Sequence, residues 1–233
     1  EFLSIASHEL RTPMSIIKGY LSLTLEGAYG KVSPKLHEKV GQIYETNERL
    51  IQLISNLLNL SRIEKGKIEY TSKQIDVSEL AGQVVEMLSM KAKQQGLALA
   101  FEAAKEHIEA YADSDKLREV LVNLIDNAIK YSKRGTIRVE ASRDAEKGVV
   151  VLTVKDEGIG MTEEEAKKVF EKFFRVKSAE TAGVQGTGLG LYICATFVRG
   201  MGGDIWIAET AAGKGTTMAF TLPTTAAAVK AAE

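Results

Sequence analysis

The chain reads as two structural classes joined end to end. An all-α antiparallel helical hairpin comes first, and an α+β sandwich with helices on one face of a mixed sheet follows. Three observations carry this reading. Apolar residues recur at steps of three and four as far as residue 61, the pattern of packed helices. The chain then turns polar over Ile63-Glu64-Lys65-Gly66-Lys67. From about residue 73, β-branched runs alternate with amphipathic helical stretches. A length of 233 residues, 45% apolar and 26% charged, suffices for two small buried cores.

The first helix is predicted over residues 1 to about 28, with Leu3, Ala6, Leu10, Pro13, Ile17 and Tyr20 along its seam. Counting Leu3 as heptad position a, His8 falls at f, the outermost position, so it is expected to face water. Glu9 is adjacent and Thr12 lies one turn on. A core-packing histidine would sit on the seam instead, whereas an idle surface histidine would look the same as a reactive one. Pro13 removes the hydrogen bond to the Glu9 carbonyl and loosens the helix beside His8. Helix-stop and helix-start signals fill Gly27 to Pro34.

A second helix is predicted from about 35 to 64, stepping through Val40, Ile43, Asn47, Leu50, Ile54, Leu57 and Ser61. Asn47 on that seam costs stability but can set register. Two helices alone bury too little surface, so a homodimer through residues 1–66, forming a four-helix bundle, is expected.

Residues 67–72 are expected to be a linker and 73–223 the α+β domain. Its first helix is capped by Asp76 or Ser78 and runs to about Gln95, stopping at Gly96. Strands follow near 97–102 and 108–112, then a helix over about 114–132. Strands at 136–143 and 149–155 lead to a helix near 162–168 and a Gly-rich loop. A last helix at about 188–200 precedes strands at 205–209 and 216–222. Residues 224–233, mostly Ala and Thr, are expected to be a disordered tail.

The net charge of −1 gives no reason to expect a nucleic-acid partner. The single cysteine, Cys194, excludes an internal disulfide, suits a reducing compartment and sits in an apolar run as a buried residue would. No stretch approaches the ~18–20 apolar residues of a membrane span, and no signal peptide opens the chain. The first residue already lies inside a helical pattern without an initiator Met. A piece of a longer protein is therefore expected, on the cytoplasmic side and without membrane contact of its own.

Three segments carry chemistry. Asn123 and Asn127, at i and i+4, share a helix face with Lys130. Carboxamide oxygens can ligate Mg²⁺ and an ammonium can offset phosphate charge, although a merely solvated polar face reads equally from these residues. Next, the strand from Val149 to Val154 leads into Asp156-Glu157-Gly158-Ile159-Gly160-Met161. A carboxylate at a strand end can accept from an exocyclic amine while glycines let the backbone approach a ring; a surface hairpin would tolerate Asp-Glu-Gly but leaves Gly160 unexplained. Third, Gly186-Thr187-Gly188-Leu189-Gly190 opens a helix whose backbone N–H groups form an anion site. This run matches neither the Walker loop nor the dinucleotide fingerprint. Between the last two, Phe170 to Arg175 and a loose stretch to Gln185 read as a mobile lid.

Together these segments make a specific set. In order and spacing the chain resembles the catalytic core of a sensor histidine kinase of two-component signalling, over residues 1–223. The H box is matched by Ser7 to Pro13, the N box by Asn123 to Tyr131 and the G1 box by Asp156-x-Gly158-x-Gly160. The F box is matched by Phe170 to Arg175 and the G2 box by Gly186-x-Gly188-x-Gly190. The one departure is Met14 after Pro13, where leucine is commoner.

The resemblance implies an ATP-clamp sandwich of the kind shared with gyrase and Hsp90. It implies His8 as phosphoacceptor, Glu9 as its acid/base, and Thr12 as the group positioning water for dephosphorylation of a response regulator. Asn127, helped by Asn123, would ligate Mg²⁺; Lys130 and Tyr131 would contact phosphate and nucleoside. Asp156 would bind the adenine amine of ATP, supported by Thr216, and Arg175 would meet the γ-phosphate. Phe170 and the loop Gly186, Thr187, Gly188, Leu189, Gly190 would enclose the nucleotide. Two other readings compete: a clamp ATPase, which lacks the His-bearing stem, and a dimeric scaffold with a vestigial site, which would not keep all the boxes.

Overall fold

The computed structural model describes residues 2–102, 107–176 and 186–226, excepting the side chains of residues 2–8 and 11. The chain forms two compact units, Glu1–Ile68 and Glu69–Glu233.

In the first unit, α1 (Phe2–Leu25) and α2 (Pro34–Glu64) make the hairpin. The Ser33 hydroxyl caps α2 by accepting from the Leu36 N–H at 3.3 Å, and Pro34 sits where its missing N–H goes unneeded. α1 ends three residues short of the expected boundary. The Ala28 N–H turns back to the Leu23 carbonyl at 2.9 Å, closing the helix in a Schellman turn with Gly27 at φ 82°.

Between the helices, buried Asn47 donates from Nδ2 to the Met14 carbonyl at 2.9 Å. Lys18 and Glu48 pair at 2.9 Å, and the hydrogen bond to Glu48 raises the Lys18 ammonium against its partial burial.

The expected single seam of α2 divides. Val40 and Asn47 are buried, whereas Ile43, Leu50 and Leu57 remain 53%, 44% and 45% exposed. Leu36 and Leu53 lie open beside them, as do Leu10, Ile16, Ile17, Tyr20 and Leu23 on α1. A two-helix hairpin has one interface, so alternate seam positions meet the neighbouring helix while the others face away.

The second unit opens with β1 (Lys73–Asp76) and α3 (Val77–Gln94), then β2 (Ala98–Glu102), β3 (Glu109–Ala112) and α4 (Ser114–Tyr131). β4 (Thr136–Asp144), β5 (Val149–Lys155), α5 (Glu163–Lys168), α6 (Gly190–Gly200), β6 (Ile205–Thr210) and β7 (Thr216–Pro223) complete it. The main sheet runs β2-β4-β5-β7-β6, with β2 parallel to β4 and the remaining pairs antiparallel, hence mixed as expected. Strand β1, which pairs antiparallel with β3, was not expected. Its sequence Lys-Gln-Ile-Asp lacks a β-branched run and ends on Asp76, whose carboxylate caps α3 by accepting from the Glu79 N–H at 2.9 Å.

The core lies between helices and sheet. Val77, Ala81 and Val84 of α3, Leu117, Leu121 and Ile125 of α4, and Ile193 and Val198 of α6 are fully buried, as are Val139, Leu152 and Phe220 of the strands. Cys194 is buried there as expected; burial pushes its thiol far up, out of reach of ordinary thiolate chemistry.

Two boundaries differ from expectation because specific hydrogen bonds extend the second unit. Within the expected linker, the Thr71 N–H donates to Asp113 Oδ2 at 2.8 Å and the Tyr70 hydroxyl to the Thr196 carbonyl at 3.3 Å. At the other end Thr224, expected to lie in the disordered tail, donates from Oγ1 to the Gly148 carbonyl at 2.8 Å. Residues 227–233 lie outside the described residues.

Asp113 also caps α4, accepting from the N–H groups of Asp115 and Lys116 at 3.0 and 3.1 Å. Burial would raise its carboxyl, but the N–H groups of Thr71, Lys116 and Asp115 outweigh burial and hold it below the usual value. Asp113→Ala is therefore expected to destabilise the second unit by about 2–4 kcal/mol, the sum of a lost cap and an orphaned amide. Trp206, the sole tryptophan, lies in β6 and reports this unit alone during urea unfolding. A carboxyl lowered by folding stabilises above its unfolded pKa. The deficit should thus shrink as pH falls below 3.8, through the depressed folded value.

Candidate active site

The helix α4 turns Leu124, Ile125, Ala128 and Ile129 into the core, which leaves Asn123, Asp126, Asn127 and Lys130 as its outward stripe at i, i+3, i+4 and i+7. Asn123 and Asn127 are half-buried, and neither carboxamide hydrogen-bonds to any described residue. Asn123 lies against the start of α6: a Cβ on Gly190 would stand 2.4 Å from Asn123 Oδ1. The third glycine of the G-x-G-x-G run thus leaves room for the Asn123 carboxamide beside the start of α6.

Asp156 sits just past β5. Its Oδ1 accepts from the Gly158 N–H at 2.8 Å and the Thr216 N–H at 3.2 Å, while Oδ2 meets no donor among the described residues. Burial pushes the carboxyl up, and the two N–H groups only partly offset this. The loop that follows has no room for side chains at its two glycines. A Cβ on Gly158 would lie 2.4 Å from the Tyr131 carbonyl oxygen, and one on Gly160, at φ 61°, would lie 1.9 Å from that of Ala211. The Ile159 N–H donates to the Tyr131 carbonyl at 3.1 Å, which ties the loop to the end of α4. Tyr131 therefore shapes the loop through its backbone carbonyl.

Thr216 reaches Asp156 through its backbone N–H; its hydroxyl instead pairs with that of Thr210 at 3.2 Å. Thr210, absent from the expected set, also receives the Met161 N–H at 3.0 Å and donates to the Gly215 carbonyl at 3.2 Å. Its signal was only indirect, a threonine before the turn Gly213-Lys214-Gly215.

The Gly-rich loop leads into α6 two residues later than expected. Leu189 occupies the N-cap without a side-chain hydrogen bond, and no acidic residue lies in the first turn. By contrast α3 and α4 are capped by Asp76 and Asp113, and α5 has a full capping box between Thr162 and Glu165. The first N–H groups of α6 thus lack protein acceptors from a cap and favour an anion. The Thr187 hydroxyl accepts from the Leu189 N–H at 3.2 Å, Leu189 is buried, and Gly186 is exposed.

Phe173, in the left-handed region at φ 63°, donates its N–H to the Gly188 carbonyl at 2.9 Å and joins the aromatic segment to this loop. Phe170 and Arg175 are half-buried. The expected lid falls mainly on residues 177–185, outside the described residues. In the first unit α1 spans the H box with Glu9 and Thr12 exposed, while the His8 side chain lies outside the described residues. Asp126, which binds both Lys130 and Lys91, was also missed, although it stands four residues before Lys130.

A family described as "His Kinase A (phospho-acceptor) domain" matches residues 1–66, and "Histidine kinase-, DNA gyrase B-, and HSP90-like ATPase" matches 112–226. Sensor histidine kinase WalK of Bacillus subtilis is 35% identical over 96% of this chain and 36% of its own length. Sensor protein SrrB of Staphylococcus aureus is 33% identical over 96% of this chain and 38% of its own. Among solved structures, full-length ShkA in complex with AMPPNP superposes with a TM-score of 0.75 at 28% identity, covering 98% of this chain and 47% of that one. The catalytic domain of histidine kinase ThkA gives 0.59 at 28% identity over 69% of this chain and 99% of its own.

The chain belongs to the sensor histidine kinases and comprises their catalytic core, the phosphoacceptor hairpin followed by the clamp-type ATPase fold. It spans little more than a third of the length of these curated relatives.

Gly160→Ala is expected to lower the stability of the second unit by about 2–4 kcal/mol, since a backbone carbonyl blocks the methyl and φ is positive. Gly190→Ala should cost less, because the obstacle is the Asn123 side chain, which can swing aside. Thermal unfolding followed by Trp206 fluorescence compares the two.

Proposed function

We propose that this chain transfers the γ-phosphoryl group of ATP to a ring nitrogen of His8 and then to an aspartate of a response-regulator receiver domain. The observation that supports this best is the pairing of the Asn123/Asn127 stripe with the uncapped start of α6 across Gly190. Carboxamides without partners among the described residues and N–H groups without a side-chain cap suit a polyphosphate between them.

Asp156 Oδ2 is available to accept from the exocyclic amine of adenine, while the glycines beside it bring the backbone close to the ring. Tyr131 and Phe170 bound the nucleoside. Gly186, Thr187, Gly188, Leu189 and Gly190 wrap the phosphates, and Lys130 and Arg175 balance their charge. The carboxamide oxygens of Asn127 and Asn123 fit Mg²⁺, which takes few protein oxygens and keeps phosphate and water as its other ligands. When bound there, the ion would neutralise charge on the phosphates.

A neutral imidazole, with ordinary pKa near ~6.5, can attack phosphorus directly at pH 7. The N–P bond forms as the bond from the γ-phosphorus to the bridging oxygen breaks. ADP departs with that electron pair, and the proton on the other ring nitrogen passes towards Glu9. Positioning and charge neutralisation supply most of such a rate enhancement. Thr12, exposed one turn beyond His8, positions water for hydrolysis of the phosphorylated regulator.

The open apolar stripes of α1 and α2 favour a second copy as the covering surface, hence a homodimer through residues 1–66. Tyr70 and Thr71 are fastened within the second unit, so we place the hinge that the transfer requires before Tyr70. None of the described helices is long and apolar enough to cross a membrane. We place these residues on the cytoplasmic side, where ATP is found, and infer no nucleic-acid partner at a net charge of −1.

Incubation with γ-labelled ATP and Mg²⁺ tests the proposal. Label stable to alkali, lost in acid and absent from His8→Gln is expected. Phosphate released with no label on protein would indicate an ATPase instead. In the same assay Thr12→Ala should label normally but dephosphorylate the regulator slowly; normal dephosphorylation would remove Thr12 from that role.

Asp156→Asn should weaken ATP binding roughly 10- to 100-fold, as befits loss of a hydrogen bond to a charged acceptor. The Gly158 and Thr216 N–H groups would claim its amide oxygen and turn an NH₂ against the adenine amine. Folded stability near neutral pH should hold, since no charge remains to be buried. For the wild type, raised Asp156 means that affinity falls on acidification before the usual carboxyl value of 3.8 is reached. Calorimetric titration at several pH values measures both effects.

A further inference from the structure

Lys130 is already engaged. Its Nζ lies 2.5 Å from Asp126 Oδ2, one turn back on α4, while the other carboxylate oxygen holds Lys91 from α3. The Asp126 side chain is only 19% exposed, against 39% for Lys130 and 46% for Lys91. A carboxylate is out of place on a face that receives a polyphosphate unless something cancels its charge. Here two ammoniums meet one carboxylate, so the cluster as a whole carries one positive charge.

Had Lys130 been the sole counter-ion, its departure towards phosphate would strand a largely buried carboxylate beside an incoming polyanion. The ammonium of Lys91 prevents this, because it stays on Oδ1 when Oδ2 is vacated. We propose that Asp126 holds Lys130 in reserve and that Lys91 is the standing counter-ion that releases Lys130 to the phosphates of ATP. Asp126 and Lys91 are then positioning residues that act through Lys130. The inference rests on the reading of α4 as the polyphosphate face, and it adds to that reading a second helix, α3, with a defined task.

The test titrates the full 233-residue chain by calorimetry with ATP and Mg²⁺, and separately with adenosine, which lacks phosphates. The variants are Lys91→Met, Lys91→Arg, Asp126→Asn and the double Lys91→Met/Asp126→Asn. Lys91→Met should weaken ATP binding roughly five- to tenfold, the result of locking Lys130 onto Asp126, while adenosine affinity stays unchanged. Lys91→Arg should restore ATP affinity. Asp126→Asn should bind ATP at least as well as wild type, and the double variant should match Asp126→Asn rather than sum the two effects.

Wild-type affinity in Lys91→Met would overturn the proposal. Equal loss of ATP and adenosine affinity would overturn it too, as damage to the whole unit. A double variant as weak as Lys91→Met would show Lys91 meeting phosphate itself. A folded wild type that binds adenosine but no ATP would refute the polyphosphate reading beneath the proposal, a failure distinct from these.

Discussion

One carboxylate oxygen organises the second unit. Asp156 Oδ1 takes the N–H of Gly158 from its own loop and the N–H of Thr216 from β7, and the Asp156 N–H returns to the Thr216 carbonyl at 2.8 Å. The end of β5, the glycine loop and the β6–β7 turn are thereby clasped at one point. Thr210 extends the clasp by holding the Met161 N–H and the Gly215 carbonyl with one hydroxyl. The glycines follow from this constraint. With carbonyls of Tyr131, Ala211 and Asp156 packed against the loop and turn, Gly158, Gly160 and Gly215 have no space for a Cβ. The clasp uses Oδ1 of Asp156 and leaves Oδ2 without a donor among the described residues.

Two helices bring the rest of the site to that clasp, each held from its far end. The N-terminus of α4 is capped by Asp113, which also receives the Thr71 N–H. α6 is touched near its C-terminal half by Tyr70, through the Thr196 carbonyl and beside Gly200. The segment that enters the second unit is therefore attached to the same two helices that approach each other where Asn123 of α4 meets Gly190, the start of α6. Asp113 is buried and charged yet held by three N–H groups. Charge is stabilised where α4 begins, whereas the start of α6 has no side-chain cap.

The hairpin shows a different economy. Asn47 places a carboxamide on the Met14 carbonyl, next to Pro13, so the polar seam residue fixes the register of α1 against α2. The apolar residues at alternate seam positions stay open. A stem of two helices has one interface, so part of its apolar surface is covered and the rest stays exposed.

Much was legible in the sequence because periodicity records which face of each element is buried. The boundaries of β5 and the extents of α3, α4 and α6 follow from alternation, caps and glycine stops within a few residues. The glycine runs and the Asn123/Asn127/Lys130 stripe are equally local, since residues three and four apart must share a helix face. What only the tertiary structure decided are the partners brought by chain crossing. These are Lys91 on Asp126, Thr71 on Asp113, Thr210 on the loop after Asp156, and the short strand β1 beside β3. The division of the α2 seam belongs with them. A heptad states that a residue wants burial, but only the packed hairpin determines which neighbour provides it.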